Sequence, residues 1–333
     1  MKTEVRDRLE AVGADAWDGL LTGARLRSPF LSWTWQREWV RVFAPTRRLE
    51  VHTVVDAQDQ LVALLPLYEA EPGLLRIIGG ADVSDYLDLI ARAGVEEEAW
   101  QVLLQARAAA RATWQLHAVP EASPTVTALP ALAATCGLAA VATEEERCPV
   151  LTLPRSWEEY LAALPGKHRH ELTRKIRRLE REEPDARVSC ESRPADIQSR
   201  LGDFLDLHRR SRVGKARFMD TRMEAFFRTA LVALAERGQA RLWLLDLPPG
   251  PIAAFVTLEW DDTVGLYNSG FHPERAALAP GLVLLSHLVR DAISRGKRRF
   301  DFLRGEERYK YEFGPASEAV FGVRVAPAEA APA

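Results

Sequence analysis

Cysteine is scarce in this chain. Three in 333 residues, Cys136, Cys148 and Cys190, are too few and too scattered for a disulfide framework or a thiolate zinc site, so a reducing compartment is expected. A dominant charge of one sign is also lacking. Lys and Arg number 44 against 47 Asp and Glu, a net charge of -3, so no whole-protein basic field recruits nucleic acid or an anionic membrane. No apolar run approaches the ~20 residues of a membrane span. Met1 to Glu10 is charged and has no apolar signal core. A cytoplasmic protein is expected. No set of His, Cys, Asp and Glu has metal spacing. Asp82, Asp85 and Asp88 could suggest a hard cation, but their spacing is that of a polar loop, and no metal is expected.

What is present fits a globular protein of two domains. The length allows two, and 47% hydrophobic with 27% charged residues is an ordinary globular balance. Leu49 to Asp56 and Leu61 to Tyr68 read as strands joined at Ala57 to Gln60. A third strand is expected near Leu74 to Ile78, a helix over Val95 to Ala112 and a strand over Trp114 to Val119. The second half repeats that plan. Ala240 to Leu247, Ile252 to Trp260 and Val264 to Ser269 are strands, Pro280 to Arg295 is a helix closed by Gly296, and Arg298 to Leu303 is a strand. Paired strands, a helix and a strand thus recur at half the chain length. The boundary is expected near Glu144 to Pro149, giving domains 1–148 and 149–325, with Val150 to Leu153 opening the second. The Ala/Pro-rich tail 326–333 is expected to fray.

The densest chemistry lies at the last strand-to-helix corner, Arg299 to Gly314. Asp301, Arg304, Gly305, Glu306, Glu307, Tyr309 and Lys310 fall within ten residues. Between the halves, Pro165 to Glu183 reads as a helix rich in Lys and Arg. It is either a solvated face with Glu171 and Lys175 paired or a basic wall for a phosphorylated ligand or RNA. Ala279-Pro-Gly-Leu282 opens a helix, where free N–H groups and the helix dipole favour an anion.

Several segments together resemble one family. They are Pro29 to Trp39, Leu61 to Tyr68, Ser84 to Asp88, Lys167-His-Arg169, Phe218-Met-Asp220, Tyr267 to Pro273, Ala279 to Leu285, and Asp301-Phe-Leu-Arg-Gly-Glu-Glu-Arg-Tyr-Lys310. The chain resembles the large GNAT-superfamily proteins labelled cellulose-biosynthesis-associated acetyltransferases, relatives in architecture of the Fem-type aminoacyltransferases. The resemblance spans about Pro29 to Phe321. It implies an α+β fold of two tandem GNAT-like domains, each a mixed, mostly antiparallel sheet flanked by helices. The family's phosphate loop is not intact here, since Ala277-Leu-Ala-Pro-Gly281 carries one glycine. Coenzyme A binding is therefore implied by the resemblance alone.

The resemblance implies an acyltransferase that moves an acetyl or other acyl group from acyl-CoA to a small-molecule, sugar or peptide amine. It places the cofactor at Ser269, Ala279, Pro280, Gly281 and Leu282. Acyl transfer needs a base and an acid: Asp301 and Glu307 are base candidates and Tyr309 an acid. Arg304, Lys310, His272, Asp85 and Tyr86 are candidates to hold substrate. Each has a structural alternative. Asp301 could pair with Arg304 or Lys310, Glu306 could pair with Lys310, and His272 could be a turn histidine. Trp33, Trp35 and Trp39 read as core of the first domain. Two other functions stay open: a Fem-type transferase using aminoacyl-tRNA, and a non-catalytic module of polysaccharide or envelope biosynthesis.

Overall fold

The structure is a computed structural model that describes residues 1–107 and 112–328. Its contacts divide the chain into two compact units, Met1–Arg147 with Glu318–Ala333, and Cys148–Ser317.

The first unit comprises β1 (Lys2–Arg6), α1 (Ala14–Thr22), α2 (Trp33–Phe43), β2 (Leu49–Val55), β3 (Leu61–Glu71), β4 (Leu74–Ile77), β5 (Ile90–Ala91), α3 (Glu96–Arg107), β6 (Thr113–Pro120), α4 (Pro124–Thr127), α5 (Leu129–Thr135) and the start of β7 (Leu138–Thr152). Strands β1 to β4 pair antiparallel in sequence order, and β4 pairs β6 in parallel over Leu74 to Arg76. A parallel neighbour needs a crossover, and α3 lies in that connection. Trp35 and Trp39 are buried in this unit.

The second unit holds the end of β7, then α6 (Trp157–Ala163), α7 (Gly166–Glu182), β8 (Arg187–Glu191), α8 (Pro194–Ser211), α9 (Val213–Phe218), α10 (Thr221–Glu236), β9 (Ala240–Leu247), β10 (Gly250–Trp260), β11 (Thr263–Phe271), α11 (Pro280–Ser294), β12 (Arg299–Asp301) and α12 (Arg308–Tyr311). Its strand order is β7-β12-β11-β10-β9-β8, antiparallel except for β11 with β12. Strand β10 is buried from Ile252 to Glu259, which requires cover on both faces. Side chains alternate across the sheet. Trp243, Leu245, Phe255, Val264 and Leu266 join Val283, Leu284, Leu288 and Ile293 of α11 in one core cluster. On α8 and α10, Phe204 and Phe227 stack at 6.0 Å, and Phe227 stacks on Tyr267 of β11 at 5.5 Å. Each such buried side chain contributes roughly 1.5–3 kcal/mol. Gly296 sits at φ +71° just past α11, the left-handed position that ends a helix.

Both units therefore show the same plan: antiparallel strands, a crossover helix, and a parallel strand. Two segments differ from the sequence reading. Val150 to Leu153 does not begin a strand, because β7 has already run from Leu138. The strand β13 (Ala316–Pro327) groups mainly with the first unit, since it pairs antiparallel with β6 from Val320↔Pro120 to Val325↔Trp114. It carries into the first unit residues that the sequence had placed in the second domain and at the start of the tail. Helix α3 is described to Arg107; residues 108–111 of the expected helix and 329–333 of the expected tail lie outside the described residues. No helix among the described residues is long and apolar enough to cross a membrane.

Candidate active site

The second unit contains a notch created by its own strands. Strands β11 and β12 pair over only three positions, Thr263↔Arg299 to Gly265↔Asp301. Strand β11 then continues to Phe271 while β12 stops. In β11 one residue is extra, since Val256 faces Asn268 and Thr257 faces Leu266. Such a bulge bends a strand and redirects its side chains. The two strands diverge where the chain must turn into α11 on one side and into the Arg304 to Tyr311 corner on the other.

A cavity of about 270 Å³ occupies this part of the unit. Ser269 and Phe271 of β11 form one wall, with Phe255 of β10 beneath. Ala279, Pro280, Gly281 and Leu282, at the start of α11, form a second. Glu307 and Tyr309 of the corner form a third, and Ser211, Arg212 and Lys215, from the α8–α9 junction, a fourth. Seven of the residues named from sequence are thus brought together: Ser269, Ala279, Pro280, Gly281, Leu282, Glu307 and Tyr309.

The start of α11 is open toward an anion. Ala279 takes the left-handed conformation, φ 51° and ψ 46°, and no side chain caps the helix. Pro280 has no N–H, which leaves the amides of Gly281 and Leu282 at the positive end of the dipole. Lys215 stands beside them as a buffered cation. Its Nζ donates to the carbonyl oxygen of Ser269, and lies 3.1 Å from Ser269 Oγ. Burial lowers the Lys215 pKa to about 8, against the pull of Glu307. Nothing in its sequence neighbourhood marked Lys215: it sits in an Arg-Val-Gly-Lys-Ala-Arg run that reads as surface charge.

The corner is held from both sides. Asp301 is wholly buried, and its Oδ1 accepts from the Leu303 N–H at 2.8 Å. Leu303 is left-handed at φ 55°, and this hydrogen bond fixes that turn. Lys310, 3% exposed, donates to the carbonyls of Arg304 at 2.8 Å and Gly305 at 2.9 Å, and pairs with Glu307 at 2.9 Å. Gly305 has φ +104°, and a Cβ there would stand 2.8 Å from Glu307 Oε2, so only glycine lets that carboxylate fold back over the chain. Burial pushes the Glu307 carboxyl up, but Lys310 and Lys215 together hold it below its usual value. Burial, reinforced by Glu307, pushes the Tyr309 phenol well above its usual range, and a hydrogen bond to Ser269 works the other way.

The other named residues lie elsewhere. Asp301 and Lys310 do not line the cavity and serve the turn. Asp301 has Arg299 at 3.6 Å, and Glu306 accepts from Tyr311 at 2.9 Å. Arg304 is half-buried at the corner, outside the cavity lining. The His272 N–H donates across the sheet to the Ile252 carbonyl, and its own carbonyl accepts from the Arg275 N–H. Asp85 and Tyr86 belong to the first unit, in the β4–β5 loop. Asp88 of that loop is buried, accepts from Ser123 and Thr125 at 2.5 Å each, and is pushed up to about 6 by burial. On α7 three glutamates stand against seven Lys and Arg, so the helix stays basic: Glu171 pairs with Arg174 at 2.8 Å and Lys175 at 3.4 Å, and Glu182 with Arg178 at 3.0 Å.

Residues 166–311 match the Acetyltransferase (GNAT) domain family. No curated protein matches the chain. Three solved structures share its fold at 12% identity each. FemX aligns with a TM-score of 0.66 over 97% of both chains. A conserved protein of unknown function from Bacteroides thetaiotaomicron aligns at 0.64, over 97% of this chain and 99% of that one. The C-terminal domain (DUF2156) assigned to a lysylphosphatidylglycerol synthetase of Agrobacterium fabrum aligns at 0.60, over 94% and 91%. Such similarity speaks for the fold alone. The fold is that of two GNAT-like domains in tandem, and the family match lies within the second unit.

Proposed function

We propose that the second unit transfers an acyl group from acyl-coenzyme A to an amine, with the cavity at the start of α11 as the donor site. The observation that carries this reading is the convergence of three features in one cavity. They are an uncapped helix start, a buried lysine with a lowered pKa, and a carboxylate with a phenol on the corner that follows β12. The residues fit the group. The amides of Gly281 and Leu282 would receive pyrophosphate oxygens, and Lys215 and Arg212 would add positive charge. The bound donor supplies an activated thioester carbonyl. Glu307, kept ionised by Lys310 and Lys215, accepts the proton that the attacking amine must lose. Tyr309, protonated at neutral pH, stands beside Ser269 to donate to the leaving sulfur. Asp301 and Lys310 position these groups by fixing the turn between them.

The first unit is less suited to an anion at the equivalent place. Helix α3 opens with Glu96, Glu97 and Glu98, and Glu96 already accepts from the Gly94 N–H at 2.7 Å. Aminoacyl transfer from a charged tRNA is the second reading, on the fold shared with FemX. The basic helix α7 favours it, and the net charge of -3 disfavours it, because a tRNA surface is held by an excess of cations. The test is release of free thiol from acetyl-CoA across a panel of amines. The reading expects turnover that Glu307→Gln and Tyr309→Phe each lower at least ~10²-fold without loss of fold. No thiol release, together with salt-sensitive binding of charged tRNA, would overturn it in favour of the second.

A further inference from the structure

The first unit has a cavity of about 450 Å³ that shares no residue with the acyl-transfer site. Arg107, the last residue of α3, lines it and is 4% exposed. Its Nε, Nη1 and Nη2 have no hydrogen-bond partner among the described residues, and neither does the Thr3 hydroxyl in the same wall. The guanidinium carbon lies 4.4 Å from the centre of the Trp114 ring, so one face is covered and the N–H edge remains to be satisfied. Both carboxylates of the lining are already engaged: Glu50 binds Arg48 at 2.6 Å and His52 at 3.3 Å, and Glu4 pairs with Arg6. Burial lowers Arg107 to about 10, with Glu50 pulling the other way. A buried cation with unmade hydrogen bonds is costly. The planar edge of a guanidinium matches the two oxygens of a carboxylate or phosphate. Leu75, Leu103 and Ala106 give the same cavity an apolar wall, and its volume lies in the range of small-ligand sites.

The geometry points to a second ligand site: the first unit binds a small organic anion, its carboxylate or phosphate on Arg107 and Thr3 and its short apolar body on Leu75, Leu103 and Trp114. Titration calorimetry of the full chain with hexanoate and with hexyl phosphate tests this, and the tighter probe identifies the head group. Saturable binding of at least one is expected. It should weaken about tenfold or more in Arg107→Met, weaken in Arg107→Lys, which keeps the charge but loses the fork, and persist in Lys215→Met. Without ligand, Arg107→Met should melt no lower than the parent. The inference is overturned if neither probe saturates, or if binding survives Arg107→Met and disappears in Lys215→Met. A large fall in melting temperature for Arg107→Met would mark the arginine as structural. Should that variant fail to fold, Thr3→Val must still weaken the preferred probe.

Discussion

At the residue scale, two lysines of the second unit are held in opposite ways. Lys310 is spent on the backbone. Its ammonium satisfies carbonyls of Arg304 and Gly305 and the Glu307 carboxylate, so Lys310→Met should cost about 2–3 kcal/mol in urea unfolding. Lys215 is a buried cation whose pKa is lowered by burial. Its folded pKa of about 8 lies below the usual 10.5, so the charged form is the one disfavoured by folding. Below pH 8 both states carry the proton and the burial cost is felt in full. Between about 8 and 10.5 the folded state releases it first, so this group's contribution to stability rises with pH. Donor affinity should move the other way and fall as pH rises through about 8, a slope that Lys215→Met abolishes. Sequence pointed to the corner because its groups are crowded, but it could not separate Asp301 and Lys310 from Glu307 and Tyr309. That separation depends on a left-handed Leu303 and on which side of the turn each side chain falls.

At the element scale, the apolar strands and the helix with an apolar stripe were readable. Strands β9 and β10 fall close to where their apolar runs put them, because strands buried on both faces leave such runs, and α11 falls where helical spacing put it. Strand β7 was not readable along its polar stretch. Its Ala139 to Arg147 portion carries Glu144-Glu-Glu-Arg147 and is mostly exposed, so no alternation with a buried face announces it. The edge strand β1, with charged and exposed residues, hides for the same reason. Strand β11 packs closely on α8 at Gly270. A Cβ at Gly270 would overlap the backbone of Leu207 and His208, whereas at Gly281 it would meet Phe255 and Phe271 at ordinary distances of 3.7 and 3.9 Å. Gly270→Ala should therefore destabilise by about 2–3 kcal/mol, and Gly281→Ala should leave the denaturation midpoint nearly unchanged.

At the scale of the whole molecule, one plan has been used twice with different electrostatics. Each unit crosses between parallel strands by a helix, α3 in the first and α11 in the second. Helix α3 opens on three glutamates and satisfies a nearby amide with one of them, while α11 opens on Pro-Gly with no capping side chain. The repeat was visible in the order of elements. The proposed division of labour was not, because it rests on Lys215 and Arg212, which come from the α8–α9 junction and are remote in sequence from the corner they adjoin. The grouping of β13 with the first unit was hidden too, since only strand pairing reveals it. The measurement that bears most directly on this division is amide hydrogen exchange with and without saturating acetyl-CoA. Protection is expected at Gly281, Leu282 and Val283 and along Ser269 to Phe271, with none at Glu96 to Glu98. Protection confined to the start of α3, or no change anywhere in the second unit, would contradict the account.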